Sequence, residues 1–327
     1  MKASLSAVPR VKFANLPTPV ERMTRLAPKI GLRELWVKRD DLSGLALGGN
    51  KTRKLEYLVA EALSHGARTL LTTGAPQSNH CRQTAAAAAK FGFDCVLVLA
   101  GEPPTRYSGN LLLDHLFGAE IVWCPKDQRE ATLQEVFQKL WREGRRPYRI
   151  PYGGSNALGV LAYAQAVGEV VEQGVCPEWI VFPSSSGGTQ AGLLLGCKLY
   201  KLDARIVGIS VDLPASELRE RIFQLCCQAS DTYSFSVSVR IEEIVVDDSY
   251  RGEGYGIPTQ ADIQAIQDFA RYEGILLDPV YTGRAAAGLI DLVKRGTIPA
   301  DASVLFWHTG GTPALFAEAY EKLFSPP

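Results

Sequence analysis

The stretch that decides the fold is a glycine-rich turn that runs into a helix, Gly48-Gly49-Asn50-Lys51-Thr52-Arg53-Lys54. A strand-like run at 35–38 precedes the turn, and apolar residues at helical spacing follow it from Leu55 to Ala62. This spacing predicts a helix that begins at Lys51 and buries one stripe. Lys51 and Lys54 are three residues apart, so they share a face with the first apolar residues of that stripe.

Three cations, Lys51, Arg53 and Lys54, crowd the first turn of this predicted helix. The N-terminal end of a helix carries partial positive charge, so each exposed cation there is unfavourable by about 0.3–1 kcal/mol. The pattern therefore favours a site in which an anion, or a lysine kept partly unprotonated, occupies this end of the helix. The alternative is three solvated side chains on a surface helix.

Two mechanisms compete for the lysine. A P-loop needs Gly-Lys-Ser/Thr in direct succession, because the loop amides and the lysine wrap one phosphate chain. From Gly44 the sequence reads GLALGGNKT, so Asn50 separates the second glycine from Lys51. This mismatch disfavours a P-loop phosphotransferase and favours a lysine that forms a Schiff base with a carbonyl cofactor.

Composition limits the class of protein. The 327 residues suffice for two lobes with their own cores, and 35 basic residues balance 35 acidic ones. There is thus no basic field to attract nucleic acid, and no apolar run is long enough to cross a membrane. The N-terminus lacks the apolar core of a signal peptide, so we expect a cytoplasmic protein.

The cysteines support the same location. Their number is odd, at seven, and none stands in a CxxC pair, so they are predicted to be small, reduced residues of the core. With four histidines and no spacing typical of metal ligands, we expect no metal site.

Strand-like and helix-like stretches alternate along the chain, which predicts an α/β fold with mostly parallel strands. Residues 231–258 are the least regular part and are expected to wrap one lobe as strands and loops. The expected strands are 69–72, 95–100, 120–123, 179–182, 205–211 and 303–307. The expected helices are 82–91, 110–117, 130–142, 158–173, 191–200, 260–272, 285–294 and 314–323.

In such folds ligands bind beyond the carboxyl ends of strands, where loops meet helix N-termini. One such segment is the glycine-rich turn that leads to Lys51, residues 48–51, called the lysine turn below. Three further loops are expected there: 74–80, 184–189 and 308–313. The loop 184–189 reads SSSGGT, and its glycines and the amides of the next helix form a cradle suited to one phosphate. In 74–80, Ser78 and Asn79 either cap a helix or hold a carboxylate and a phenolic oxygen. His308 is expected to be structural.

A phosphate cradle, a lysine with neighbouring cations, an asparagine and a carboxylate loop together indicate pyridoxal phosphate (PLP) and an amino acid substrate. The chain resembles the D-cysteine desulfhydrase/1-aminocyclopropane-1-carboxylate (ACC) deaminase family of PLP enzymes. The resemblance rests on motifs spread over nearly the whole length: GGNKTRKLE, QSNH, YGGSNALG, GYGIP, EGILLDPVYTG and HTGGTPALF.

The resemblance implies the tryptophan synthase β-like PLP fold, fold type II, in which two domains carry open, twisted, mostly parallel sheets with flanking helices. It implies a large PLP-binding domain formed by 1–50 and 158–327. A small domain, 51–157, would close over the substrate. Homodimers are usual in the family, so a homodimer is expected.

The resemblance also assigns roles to single residues. Lys51 would form the Schiff base and then move the Cα proton, and Ser78, Tyr255 and Tyr281 would be further catalytic residues. Tyr281 would lie against the pyridine ring, and Tyr255 would approach the substrate, whose carboxylate would be held by Ser78, Asn79 and His80. The remaining cofactor contacts would be Lys54, Asn79, Ser186, Gly187, Gly188, Thr189, Thr282 and Thr309.

Two residue types distinguish members of the family. ACC deaminases carry Glu in place of Thr282 and Leu in place of Thr309. A carboxylate beside the pyridine nitrogen keeps it protonated, and opening an unactivated cyclopropane needs that strong electron sink. A threonine hydroxyl only hydrogen-bonds the nitrogen, which suffices when the β-substituent is a good leaving group.

The two threonines therefore favour D-cysteine desulfhydrase, which converts its substrate to pyruvate, ammonia and hydrogen sulfide. The alternatives are ACC deaminase, elimination from another β-substituted amino acid such as L-cysteate, and a non-catalytic PLP-binding protein. The last is disfavoured because the lysine and the substrate loop are both intact.

Overall fold

In this computed structural model residues 7–324 are described, and strands and helices alternate along them as predicted. The strands are β1 Val20–Arg22, β2 Glu34–Arg39, β3 Thr69–Gly74, β4 Asp94–Ala100, β5 Glu120–Cys124, β6 Pro147–Arg149, β7 Trp179–Ser184, β8 Arg205–Ser210, β9 Val245–Asp247 and β10 Ser303–His308. The helices are α1 Leu26–Ile30, α2 Lys51–Ser64, α3 Asn79–Phe91, α4 Gly109–Leu116, α5 Arg129–Arg142, α6 Ala157–Glu172, α7 Gly188–Tyr200, α8 Ala215–Tyr233, α9 Gln260–Glu273, α10 Thr282–Lys294 and α11 Glu318–Phe324.

The strands form two sheets. The larger has the order β1-β2-β10-β7-β8-β9, and its pairs are parallel except for β1 with β2. The smaller has the order β5-β4-β3-β6, with every pair parallel. The α/β class with mostly parallel sheets is therefore confirmed. The strands of the smaller sheet all lie between Thr69 and Arg149, whereas the exact division into domains stays a prediction.

Helices cover both faces of the larger sheet, so its central strands are apolar on both sides. In β10, Val304 and Phe306 pack into one core cluster, and Leu305 and Trp307 pack into another. Since alternate residues of a strand point to opposite faces, this one strand serves both cores of the larger sheet. Its carboxyl end, at His308, is thereby held firmly where the lysine turn arrives.

The lysine turn needs glycine at its start. Gly48 has φ +67°, and a Cβ built there would lie 1.8 Å from the Asp41 carbonyl oxygen. Two backbone hydrogen bonds then fix the turn, because the Gly49 amide donates to the Asp40 carbonyl at 2.8 Å and the Asn50 amide donates to the Thr309 carbonyl at 2.9 Å. The start of α2 is thus held between the end of β2 and the loop after β10.

One long helix, α8, was not expected from the sequence. About half of its residues are polar, and only one narrow stripe is buried. The average polarity of the segment is therefore close to that of a surface loop. The stripe nevertheless repeats at helical intervals and was the signal that could have been used. Its members are Leu218, Ile222, Leu225, Cys226 and Ala229.

One further expectation is wrong in detail. The single helix expected at 314–323 is broken, because Thr312–Phe316 forms a 3-10 helix and Ala317 is extended, with ψ 138°, before α11 begins. The region 231–258 is irregular, as expected: after the last turn of α8 it consists of loops, a short 3-10 helix, Ile241–Glu243, and the three-residue strand β9.

Within residues 7–324 no helix combines the length and the apolar character needed to span a bilayer. All seven cysteines are free thiols, and five of them are buried. The thiols therefore behave as the small core residues that the sequence predicts, apart from the exposed Cys176 and Cys227.

Candidate active site

The loops after β3, β7 and β10 and the start of α2 surround one cleft. It has about 580 Å³ of space between its walls, part of which is open to solvent. Nine of the residues predicted for the site line it: Lys51, Ser78, Asn79, His80, Ser186, Gly187, Thr189, Tyr281 and Thr309. The other four predicted residues, Lys54, Gly188, Tyr255 and Thr282, do not line it.

Lys51 is half-buried at the start of α2, and its Nζ donates to Asn50 Oδ1 at 3.0 Å. Burial, and after it the nearby Arg82 guanidinium, lowers the pKa of Lys51 to about 8. About a tenth of the amine is therefore unprotonated at pH 7, far more than for an ordinary lysine, and this favours a nucleophilic role. Asn50 also donates from Nδ2 to Thr189 Oγ1 at 3.2 Å, so it connects the lysine to the first turn of α7.

Lys54 is completely buried behind the cleft wall. Its Nζ donates to the Gly153 carbonyl at 3.2 Å and to Ser155 Oγ at 3.4 Å. Burial, with a smaller contribution from Lys51, holds the pKa of Lys54 well below its usual value. Arg53 is also buried and pairs with Asp40 at 2.8 Å, so the solvated-surface alternative for these cations is wrong.

The loop 184–189, called the Ser/Gly turn below, leads from β7 into α7. Gly187 caps α7 with φ +86°, and a Cβ there would approach Ile222 and Leu225 to 3.2 Å, so glycine keeps the turn close to α8. Ser155 Oγ lies 2.8 Å from Ser186 Oγ and accepts the Gly188 amide at 3.2 Å. Ser155 thereby ties the turn to Lys54, and sequence reasoning did not assign it a role.

At the start of α3, Ser78 acts as the helix cap, with its Oγ accepting the Cys81 amide at 3.2 Å. Asn79 Oδ1 accepts from Arg82 Nη1 at 3.1 Å and from Asn110 Nδ2 at 2.9 Å. Since its oxygen is already engaged twice, the amide nitrogen of Asn79 is the group left to donate to a ligand. His80 has its Nε2 2.9 Å from Thr72 Oγ1.

Two tyrosines form a pair at the edge of the cleft. The hydroxyls of Tyr255 and Tyr281 lie 2.5 Å apart, and the ring planes are nearly perpendicular. Burial raises the pKa of both phenols well above the usual value, so both remain protonated at neutral pH. One hydroxyl proton is used within the pair, and the other is free to serve a ligand.

The two threonines that distinguish family members lie in different surroundings. Thr309 lines the cleft, while Thr282 is completely buried at the start of α10. The Thr282 hydroxyl donates to Asp278 Oδ1 at 2.7 Å and accepts the Asp278 amide at 2.8 Å. His308 accepts the Gly310 amide on Nδ1 at 3.2 Å, and its Nε2 lies 3.1 Å from the Leu276 carbonyl, so both ring nitrogens are engaged by the backbone.

Four lining residues had no predicted role: Asn50, Tyr152, Gly153 and Pro183. Tyr152 and Gly153 follow β6, which is only three residues long and gave no recognisable strand pattern. Asn50 and Pro183 are next to residues that were predicted to lie at the cleft. Ser184 and Ser185 also line the cleft, as expected for the loop 184–189, although neither was given a role of its own.

These features fit PLP. A turn of small residues at the N-terminus of α7 suits a phosphate, since a helix start offers amide donors and partial positive charge. The Asn79 amide nitrogen suits a phenolic oxygen, and the half-buried Lys51 suits an aldehyde. Lys51, Asn79 and the Ser/Gly turn line one cleft, so the groups suited to an aldehyde, a phenolic oxygen and a phosphate share the same space.

Comparison with known proteins gives the same indication. Residues 11–310 match the family described as "Pyridoxal-phosphate dependent enzyme". A protein of Yersinia pestis named D-cysteine desulfhydrase is 43% identical over 326 residues, covering 97% of this chain and 98% of the relative. One of Salmonella typhimurium with the same name is 42% identical, covering 96% and 97% of the two chains.

Solved structures are similar as well. One described as an ACC deaminase homologue superposes with a TM-score of 0.90 at 40% identity, covering 98% of this chain and 96% of its own. A PLP-dependent aspartate racemase has a TM-score of 0.65 at 16% identity, over 90% of each chain, which shows a shared fold and nothing more.

Proposed function

The chain belongs to the pyridoxal-phosphate dependent enzyme family, and we propose that it eliminates hydrogen sulfide from D-cysteine. The family match confirms the resemblance, the fold type and the cofactor expected from the sequence. The observation that carries the substrate assignment is the full-length identity of 43% to a D-cysteine desulfhydrase, together with Thr309 in the cleft lining.

When bound, PLP supplies an aldehyde that joins covalently to an amine and a ring that draws electrons away from the substrate Cα. In the proposed reaction the Lys51 amine would hold the cofactor, would be released when the substrate amine takes its place, and would then accept the proton from Cα. The electrons of the Cα–H bond form a Cα=Cβ bond as the Cβ–S bond breaks and a thiolate leaves. Addition of water to the product gives pyruvate and ammonia.

The other residues of the proposed site bind and orient the substrate and the cofactor. We assign the substrate carboxylate to the N-terminus of α3, where Ser78, Asn79 and His80 begin a 13-residue helix. Tyr281 lines the cleft and Tyr255 lies behind it, so a hydrogen bond donated by Tyr255 leaves the Tyr281 proton free to meet the departing sulfur. Lys54 supports the phosphate turn through Ser155.

The low pKa of Lys51 leads to a prediction for the cofactor-free protein. Only the unprotonated amine attacks an aldehyde, so addition of PLP to Lys51 should accelerate as pH rises and level off above about pH 8. Stopped-flow absorbance from pH 6 to 10 measures this rate, and peptide mapping after borohydride reduction locates the label. Continued tenfold acceleration per unit above pH 9, as for an ordinary lysine, would contradict the assignment.

ACC deaminase is the second candidate, favoured by the structural similarity to an ACC deaminase homologue. We expect the unaltered enzyme to have a higher kcat/KM for D-cysteine than for L-cysteine, ACC or L-cysteate. Thr282→Glu with Thr309→Leu should lower sulfide release and raise ACC turnover, because the added carboxylate strengthens the electron sink. Parallel assays of sulfide and of keto acids measure both activities.

The single variants serve as controls. Thr309 lines the cleft and Thr282 does not, so Thr309→Leu alone should account for most of the loss of sulfide release. If the double variant leaves the ratio of the two activities unchanged, the electronic account of substrate choice is wrong. If the unaltered enzyme prefers ACC, the proposed substrate is wrong while the cofactor assignment remains.

We further propose that 1–50 with 158–327 forms the large PLP-binding domain and that 51–157 forms a small domain that closes over the substrate. The membership of the two sheets supports this division, since every strand of the smaller sheet comes from the inserted segment. We also propose a cytoplasmic homodimer. The seven free thiols suit a reducing compartment.

A further inference from the structure

Arg82 is a cation without a role in the reaction as described so far, yet it is completely buried beside the cleft. It lies on α3, three residues after Asn79. Burial lowers the pKa of Arg82 to about 10, while the charges of Asp114 and Asp278 act in the opposite direction. The guanidinium therefore remains charged at neutral pH, and burying it is costly unless its donors are used.

Its donors reach three separate segments. Nη1 donates to Asn79 Oδ1 at 3.1 Å and to Asn110 Oδ1, on α4, at 2.8 Å. Nη2 donates to the Gly48 carbonyl at 2.6 Å, three residues before Lys51. One planar group thus joins the cleft wall, its supporting helix and the turn that presents the reactive lysine.

The contact with Asn79 fixes which way its amide points. Arg82 and Asn110 both donate to Asn79 Oδ1, so a flipped amide would set its NH₂ against two donors. The unflipped amide places its nitrogen on the opposite side, as a donor. Without Arg82 this preference would depend on Asn110 alone.

The contact with Gly48 fixes the lysine turn from one side. Gln83 Nε2 contacts the same carbonyl oxygen, so two side chains of α3 bind the lysine turn. From the other side the Thr309 carbonyl accepts the Asn50 amide at 2.9 Å. The backbone leading to Lys51 is therefore held between α3 and the loop after β10.

We propose that Arg82 is a positioning residue that sets the Asn79 amide and the Lys51 turn in one fixed arrangement for the cofactor. This rests on the proposed function, in which both residues contact PLP. The guanidinium has a second effect, because its positive charge disfavours protonation of the Lys51 amine, after the larger effect of burial. Geometry and charge can be separated by substitution.

The test uses Arg82→Lys, which keeps the charge but loses the planar fork, and Arg82→Met, which loses both. Lys90→Met is the matched control, since it removes an exposed cation from the last turn of the same helix. For each purified protein, the PLP dissociation constant and the pH dependence of PLP addition to the cofactor-free form are measured. Circular dichroism checks that each variant is folded.

We expect both Arg82 variants to bind PLP about tenfold more weakly, because a buried hydrogen-bonding group loses its partner. Arg82→Met should in addition add PLP about threefold more slowly at pH 7, since the Lys51 amine is protonated more readily. Arg82→Lys should keep the pH profile of the unaltered protein. If Arg82 only stabilised the fold, we would not expect Arg82→Lys to change PLP affinity alone while Arg82→Met changes both PLP affinity and the pH profile.

If both variants match Lys90→Met in affinity and pH profile, the proposal is overturned. If Arg82→Met does not fold, Asn110→Ala takes its place, because it removes the other donor to Asn79 without changing charge. Asn110→Ala should then weaken PLP binding with an unchanged pH profile, and normal binding in both Arg82→Lys and Asn110→Ala would overturn the proposal. If the unaltered protein does not attach PLP to Lys51 at all, the proposed function fails instead.

Discussion

Replacing Lys51 by alanine is expected to lower kcat for D-cysteine by about 10³-fold or more, since in the proposed reaction this side chain is both the covalent anchor and the acceptor of the Cα proton. In the proposed site PLP would still have the phosphate turn and Asn79 as contacts, so we expect weak, non-covalent binding. Borohydride treatment should then leave no label at position 51. Sulfide release and mass spectrometry of the reduced peptides measure the two effects.

Lys51→Arg is the sharper companion variant. It keeps a positive charge at the start of α2 but has no amine that attacks an aldehyde, so its activity should fall as far as that of the alanine variant. Lys90→Ala, at the exposed end of α3, should retain full activity. More than a tenth of the normal rate in Lys51→Ala would show that another group moves the proton.

Asp40→Ala is expected to lower the free energy of unfolding by about 3–5 kcal/mol, because it removes one partner of a buried ion pair. The carboxylate is completely buried and accepts from Arg53 at 2.8 Å. It also accepts from Tyr163 at 2.5 Å and from Trp307 Nε1 at 2.8 Å, so alanine would leave several buried donors without partners. Urea denaturation followed by circular dichroism measures the change.

An exposed ion pair provides the control. Glu217 accepts from Arg221 at 3.1 Å one turn apart on α8, with about half of the Glu217 side chain exposed. Such pairs contribute only about 0.3–0.5 kcal/mol, so Glu217→Ala should shift the urea midpoint slightly. Equal losses in the two variants would contradict the view that burial makes the Asp40 network important.

The same network predicts how stability responds to acid. Burial opposes ionisation of Asp40, but Arg53, Lys38 and the hydrogen bond from Trp307 together outweigh it and hold the pKa of Asp40 below the usual 3.8. A carboxyl whose pKa is lower in the folded state stabilises the fold above its unfolded pKa. That contribution is lost as pH falls from about 3.8 through the folded-state pKa. Asp40→Ala should therefore flatten the loss of stability in this acid range.

Arg53 illustrates where prediction from the sequence stopped. The crowding of cations at the start of α2 indicated an unusual site, and Lys51 does line a cleft there. For Arg53, however, the partners Asp40 and Glu169 are 13 and 116 residues away in sequence. No local pattern connects them, so a structural cation could not be told from a ligand-binding one.

Local sequence patterns correctly predicted which loops reach the cleft when the pattern consisted of neighbouring residues. The Ser/Gly turn before α7, the helix start at Ser78 and the lysine turn all follow strands, and parallel strands bring such loops to one edge. Tyr152 was missed because β6 is too short to give a pattern, and α8 was missed because its buried stripe is narrow. The placement of Thr282 against Asp278 was likewise beyond local reasoning.

The sequence by itself determined the α/β class, the family and the cofactor, because strand and helix periodicity and contiguous motifs are properties of neighbours along the chain. Tertiary structure alone decided which cations are structural, which of the two threonines meets the cleft, and how Arg82 joins Asn79 to the lysine turn. Those outcomes depend on burial and on hydrogen bonds between distant segments, and both exist only once the two sheets and their helices have packed together.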